Sequence, residues 1–442
     1  MTVIVWTLKV KCVLAATFHQ RDTWAPRREG LLMFREKPLR KKPFLSALFF
    51  FSLLLLLASF TAKKEEQIKS GPPLTAESII FMVPDGMGLT DVTAARIFKH
   101  GSAGGKLSLE TLSTIGYQKT HSADSSVTDS AAAASAWASG DKFRNGEISC
   151  HDDDHDGKCE PTPGPTILET AKEKGKSTGL VVTSTVTHAT PAAFGAHVPS
   201  RNCEKEIARQ YIKVTGVDLI LGGGVKHFKS TGKQADKCGI FGNFIAEAEN
   251  NGYDVVYTAK ELESAAAKGS KKLLGLFTPE GKTPELFRVN PAEHYNQEEP
   301  TLAQMTTAAL EVLEKDEDGF FLLVEGSQID WANHRHDVAY QVGETLAFDA
   351  AVQVVLNWLA EKPSRKQHTL VIIAPDHETG GFAINDTSGG KYQAGDVVHG
   401  AWTTTGHTAG DVLLWSQGPG SNYLGKAVDN TDIYRVMREV LR

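Results

Sequence analysis

Cysteine is scarce in this chain of 442 residues: there are five, and no two stand in a C-x-x-C arrangement. That spacing marks thiolate zinc sites and dithiol redox centres, so sulfur-based metal binding is set aside. An excess of charge of one sign is also lacking. With 47 basic and 53 acidic residues the formal net charge is −6, which offers no basic footprint for nucleic acid or an anionic membrane. No nucleic-acid partner is expected. No internal repeat is present, and only one long apolar run occurs, Phe44 to Phe60. It is short for a spanning helix.

That run sits behind Arg35, Lys37, Arg40, Lys41 and Lys42 and ahead of Ser59, Thr61 and Ala62. A basic stretch, an apolar stretch and small residues are the layout of a secretory signal peptide. Residues 1–62 are therefore read as an export segment with Met33 as the true start, and 63–76 as a linker. Phe60 stands where cleavage favours a small residue, so an uncleaved membrane anchor is the other reading. Both place the remainder outside the cytoplasm, periplasmic or secreted. An oxidising compartment suits Cys150, Cys159, Cys203 and Cys238, which sort by proximity into Cys150–Cys159 and Cys203–Cys238, although four cysteines allow three pairings.

What is present from Glu77 onward is an alternation of short apolar runs and amphipathic stretches. The runs are Ser78 to Val83, Gly179 to Val182, Val217 to Leu221, Phe320 to Val324, Thr369 to Ile373 and Val412 to Trp415. Continuous β-rich runs suggest strands covered on both faces, hence a mainly parallel sheet. Leu302 to Leu313 and Ala347 to Leu359 read as crossover helices. The expected fold is one α/β domain over 77–442, a three-layer α/β/α sandwich. Residues 141–164 break the rhythm and read as a surface insertion.

Three runs end in clusters of chemistry-bearing residues: Asp85 after the first, Glu325 to His334 after the Phe320 run, and Asp376-His377-Glu378 after the Thr369 run. Sites in open parallel sheets form beyond the carboxyl ends of strands, so these clusters should converge, joined by the Gly406-His407-Thr408 turn. Taken singly, each also reads as helix capping or a buried histidine bonded to backbone. Aspartate and histidine without cysteine favour zinc or a harder divalent ion. Ser130 heads the alanine-rich stretch Ser130 to Trp137, where a helix N-terminus attracts anions; the plainer reading is a cap. Arg201 offers a planar fork for a phosphoryl oxygen pair, or simply lies on the surface.

In this order the motifs resemble the alkaline phosphatase family from about Ile79 to the C-terminus: VPDGMG (Val83 to Gly88), TDSAAAASAWASG (Thr128 to Gly140), HATPAAFGAHVPSR (His188 to Arg201), VEGSQIDWANH (Val324 to His334), DHETGG (Asp376 to Gly381) and GHT at Gly406. The resemblance implies hydrolysis of small phosphate monoesters of broad range through a phosphoserine on Ser130, with Arg201 as the phosphoryl clamp. It implies two zinc ions, one held by Asp330, His334 and His407 and one by Asp85, Asp376 and His377. A magnesium ion would take Asp85, Thr190 and Glu325. Asp129, His188 and Trp331 would stand just behind; His188 replaces an aspartate and Trp331 a lysine of some members, which should loosen magnesium and phosphate. A homodimer is usual in the family.

Rival readings are a sister phosphodiesterase or sulfatase, or a non-catalytic exported metal-binding protein. The C-x-P-x-R signature of sulfatases is absent, since Ala131-Ala132 follow Ser130. Asp152, Asp154, Asp156 and Gly157 open like a calcium loop, but Pro163 holds the twelfth position and Glu160 is misplaced. A Ca2+ site and a solvated acidic loop are equal readings there. His151, His155 and His336 read as solvated.

Overall fold

β-Branched and aromatic side chains that alternate between two apolar environments force a strand into the middle of a sheet, and Ser78–Pro84 (β1) does this throughout. Its Ile79, Phe81 and Val83 join a core with Trp137, Phe194 and Ile433, whereas Ile80 and Met82 join another with Leu310, Phe348 and Val352. Each such fully buried aliphatic side chain contributes about 1.5–3 kcal/mol. The computed structural model describes residues 75–442 except 155, 160–163, 230–237, 289–297 and 386–389. The export segment, most of the linker, His155, Glu160 and Pro163 lie outside the described residues.

The further strands are β2 (Thr114–Lys119), β3 (Ser177–Thr185), β4 (Leu219–Gly223), β5 (Asp254–Val256), β6 (Leu273–Leu276), β7 (Phe320–Gly326) and β8 (Thr369–Ile373). After them come the short β9 (Glu378–Thr379), β10 (Ala383–Ile384), β11 (Gly400–Ala401) and β12 (His407–Thr408), then β13 (Val412–Gln417) and β14 (Ala427–Asp429). Ten of these make one sheet, ordered β14-β2-β13-β8-β1-β7-β3-β4-β6-β5. All pairs are parallel except those of β13, which runs against both β2 and β8. The expected α/β/α sandwich is the observed fold, in one domain. Helices Ser130–Ser139, Ala189–Gly195 and Asn430–Val440 cover one face; Leu302–Leu313 and Val338–Glu361 cover the other.

The register brings the central strands to a common level. Glu325 of β7 pairs with Val83 of β1 on one side and Val182 of β3 on the other. Met82 of β1 pairs with Ile373 of β8. Asp85, Glu325, Asp376 and the chain after Thr185 therefore emerge at one edge. Among the described residues no helix is long and apolar enough to cross a membrane.

Two boundaries differ from expectation. Ala76, assigned to the linker, is fully buried and bridges Leu441, its N–H donating to Val440 O at 2.7 Å. The stretch 141–164 is not wholly a surface insertion: Asp141 and Asn145 are exposed, but Phe143, Glu147, Ile148, Ser149 and Cys150 are buried, and Ile148 bridges Val198. Its polar composition hid the anchoring residues among turn formers. Both disulfides sorted by proximity are formed, Cys150–Cys159 and Cys203–Cys238, with Cα separations of 5.2 and 5.4 Å.

Candidate active site

The helix Ser130–Ser139 starts where alanine takes over from turn-forming residues, and its cap is Asp129 rather than Ser130. Asp129 Oδ1 accepts from Ala132 N at 2.9 Å, as a capping carboxylate should. That leaves the Ser130 hydroxyl without capping duty. The residue is 3% exposed, and its Oγ lies 3.3 Å from His377 Nε2. A free hydroxyl at a helix N-terminus beside an imidazole is the arrangement a nucleophile needs.

His377 and Asp376 follow β8, and Asp85 follows β1. His377 Nε2 is 3.1 Å from Asp376 Oδ2 and 3.8 Å from Asp85 Oδ1. The turn after β1 must pass very close to the helix Gln328–His334: a Cβ on Gly86, where φ is +70°, would lie 2.7 Å from Asp330 Cβ. Only glycine tolerates both that approach and that φ. Gly86 N then donates to Asp376 Oδ1 at 2.9 Å. Asp330 accepts from Thr379 Oγ1 at 2.5 Å, and its carboxylate lies 3.2 Å from His334 Nε2 and 3.5 Å from His407 Nε2. The pairing of β9 with β12 places His407 opposite Thr379, and His407 stacks on His377 with centroids 3.5 Å apart.

All three sequence clusters and the GHT turn thus meet. Potential ligand atoms lie within 4.8 Å of one another in three groups: Asp85 with Asp376 and His377, Asp330 with His377 and His407, and Asp85 with His188 and Glu325. His377 bridges two groups, and His334, with its Nδ1 2.5 Å from Thr405 O, turns its Nε2 to Asp330. His188 stands with Asp85 and Glu325, and the Thr190 hydroxyl lies beside Glu325 as well.

Anions dominate this pocket. Asp85, Glu325 and Asp376 are fully buried and Asp330 is 5% exposed, with Arg201 the nearby guanidinium. Neither oxygen of Asp85 or Glu325 makes a hydrogen bond of ordinary geometry, nor do Asp376 Oδ2 and Thr190 Oγ1. Burial, then the charges of Asp376, Asp330 and Glu325, push the Asp85 carboxyl well above the usual range. Burial likewise pushes Glu325 up to about 8. Buried carboxylates without donors are costly unless cations compensate them. The oxygen set Asp85, Thr190 and Glu325 suits a hard ion, and the mixed oxygen and imidazole sets suit zinc. The residues fit metal cofactors.

Arg201 Nη1 donates to Asp129 Oδ2 at 2.9 Å, and Nη2 lies 3.2 Å from His188 Nε2. Burial, then the Arg201 charge, lower the His188 imidazole to about 4. Trp331 is half-buried with its ring 6.2 Å from that of His188. Two supporting residues, Glu204 and Glu378, were given no role by the sequence reading. Glu204 accepts from Thr185 Oγ1 at 3.0 Å and Thr187 Oγ1 at 2.7 Å, fixing the turn before His188. Burial alone would raise its carboxyl, but His227 and these hydroxyls hold it at about 2. Glu378 accepts from Gly381 N and from Thr408 Oγ1, tying the two short hairpin strands. His336, read as solvated, is exposed, with Nε2 2.8 Å from Thr404 O and its ring stacked on Trp402. No local pattern announces such partners; only for Glu378, inside the DHETGG motif, was a signal available.

Away from the pocket, Asp152, Asp154 and Asp156 do gather within 4.8 Å. Lys158 Nζ pairs with Asp156 there.

A ten-stranded, mainly parallel sheet with helices on both faces, carrying at one edge a serine beside buried carboxylates and imidazoles, is the architecture of an α/β/α hydrolase. Residues 76–398 match the alkaline phosphatase family. The alkaline phosphatase of Escherichia coli is 33% identical over 86% of this chain and 88% of its own length. The structure of the alkaline phosphatase from the Antarctic bacterium TAB5 is 28% identical and superposes with a TM-score of 0.68, covering 83% of this chain and 98% of that one. A histidine-to-aspartate mutant of the TAB5 enzyme, 29% identical with a TM-score of 0.67 and the same coverage, has magnesium bound in its M3 site. The chain belongs to the alkaline phosphatase family, and its activity is that of a phosphatase acting on phosphate monoesters.

Proposed function

We propose that the chain hydrolyses a broad range of small phosphate monoesters to an alcohol and inorganic phosphate through a covalent phosphoseryl intermediate on Ser130. In the first step Ser130 Oγ attacks phosphorus and the alcohol leaves; in the second, water attacks the same phosphorus and phosphate is released. Arg201, braced by Asp129, holds two phosphoryl oxygens through its fork. Asp330, His334 and His407 would hold one zinc, Asp85, Asp376 and His377 the other, and Asp85, Thr190 and Glu325 the magnesium. Bound there, such cations acidify a hydroxyl and neutralise charge on entering and leaving oxygens. The protein's own part is to keep nucleophile and clamp aligned and to exclude competing acceptors.

The observation that carries this reading is Ser130 Oγ at 3.3 Å from His377 Nε2, at the rim of carboxylates that lack donors. Asp85, Thr190 and Glu325 in one neighbourhood favour a monoesterase over a diesterase. Turnover of p-nitrophenyl phosphate should exceed that of bis-p-nitrophenyl phosphate by roughly 100-fold or more, with zinc and magnesium recovered by metal analysis. Equal rates would turn the assignment toward a diesterase. The protein is taken to act as a periplasmic or secreted homodimer, with membrane attachment only where Phe44 to Phe60 is retained. Calcium has weaker support: three clustered carboxylates, one already paired with Lys158.

His188, inside the group with Asp85 and Glu325, supplies a neutral imidazole where a carboxylate would draw magnesium more strongly. The TAB5 mutant with magnesium in its M3 site supports this. Installing His188→Asp together with Trp331→Lys is expected to tighten inhibition by phosphate about tenfold. A phosphate inhibition constant already equal in the unmodified enzyme would remove the basis for fast product release.

A further inference from the structure

Ser130 and Arg201 belong to different elements, yet the phosphoryl group must meet both at once. Their direct link is the contact of Arg201 with Asp129, made by side chains. Their backbones are joined otherwise. Asn145 Oδ1 accepts from Asp129 N at 3.0 Å, and Asn145 Nδ2 donates to Val127 O at 3.0 Å. The next residue, Gly146, accepts through its carbonyl from Arg201 N at 2.8 Å. Two consecutive residues therefore hold the start of the serine helix and the base of the arginine.

The turn that presents them is stiff. Glu147 N donates to Arg144 O at 3.1 Å and Gly146 takes φ +93°, the value a tight turn assigns to glycine at its third position. Asn145 N donates to Asp124 Oδ1 at 3.0 Å. The Glu147 carboxylate, 5% exposed, accepts from Arg144 N at 2.8 Å and Asp152 N at 3.3 Å. Beyond it Cys150 is covalently closed to Cys159. Asparagine is the short side chain that offers an acceptor and a donor in one plane. Aspartate would lack the donor for Val127 O, and alanine both groups. Asn145 itself is exposed, so its truncation leaves no cavity and no buried orphan within its own side chain.

We propose that Asn145 is a positioning residue for phosphoryl transfer, fixing the separation of Ser130 from Arg201 through the Asn145–Gly146 turn. This rests on the assignment of Ser130 as nucleophile and Arg201 as clamp. A small misplacement of reacting groups costs rate steeply, whereas two solvent-reachable hydrogen bonds cost little stability.

A double-mutant cycle separates the two roles, read as kcat and KM on p-nitrophenyl phosphate with the full-length, metal-loaded enzyme. Asn145→Ala is expected to lower kcat/KM about tenfold, with metal content unchanged and Tm within about 3 °C of wild type. In an Arg201→Ala background the same change should cost less than about twofold, because the group it positions is gone. Asn145→Asp keeps the acceptor for Asp129 N and should lose about threefold, which carries the test should the alanine variant unfold. Equal losses with and without Arg201, or no loss where Ser130→Ala abolishes turnover, overturn the proposal. Wild-type turnover by Ser130→Ala would instead overturn the functional assignment, and this inference with it.

Discussion

Ser130→Ala is expected to lower turnover of a simple monoester by roughly three orders of magnitude or more, while bound metal and Tm stay at wild-type values. The reason is geometric. Asp129, not Ser130, caps the helix through Ala132 N, so removing the hydroxyl breaks no cap and frees no buried N–H. Nor does it take away a carboxylate or imidazole from the pocket. A residue that only stabilised the helix would show the reverse, a lowered melting temperature with turnover kept. Steady-state rates, metal analysis and thermal melts on the same preparations decide between them.

Stripping metals with a chelator is expected to abolish hydrolysis and also to destabilise the fold, increasingly so as pH rises. Asp85 and Glu325 have carboxyls raised by burial, Glu325 to about 8. A group whose folded pKa exceeds its unfolded one contributes stability below the unfolded value and loses it as pH climbs through the folded value. The stripped protein should therefore melt highest in mild acid and lose ground from about pH 4.5 to beyond 8. With cations bound those carboxylates stay ionised and the slope vanishes. The gap between loaded and stripped Tm at alkaline pH is expected to be on the order of 5 °C or more. A stripped protein whose Tm is flat across that window would show that the carboxylates are compensated by something other than metal.

Much of this was legible beforehand, for a reason visible in the burial pattern. Strands covered on both faces, such as Ser78–Pro84 and Phe320–Gly326, must be apolar throughout, and Thr369–Ile373 begins and ends where its apolar run does. The strands that escaped notice obey other rules. Thr114–Lys119 has half-exposed Ile115 and Tyr117 alternating with Gly116 and Gln118, so it carries no continuous run. Asp254–Val256 ends the sheet with three residues, and Leu273–Leu276 is interrupted by Gly275. In the pocket, residue types pointed to side chains that do converge, while how these group in space is not written in them. That His377 lies within reach of Asp330 as well as Asp85 depends on how β9 and β12 dock, a tertiary fact with no local signature. Asn145 was passed over for the same reason: Asn-Gly announces a turn, not what the turn holds.

Ala76 pairs with Leu441 at the amino ends of the strands, and β1 then runs seven residues before Asp85, about 20 Å of extended chain. Both ends of the domain therefore meet on the side remote from catalysis. Coupling the enzyme to a bead or a sensor surface through either terminus should leave its mouth pointing into solution. A short peptide bridging Thr75 to Arg442 should give a circularised enzyme that still turns over small phosphate monoesters.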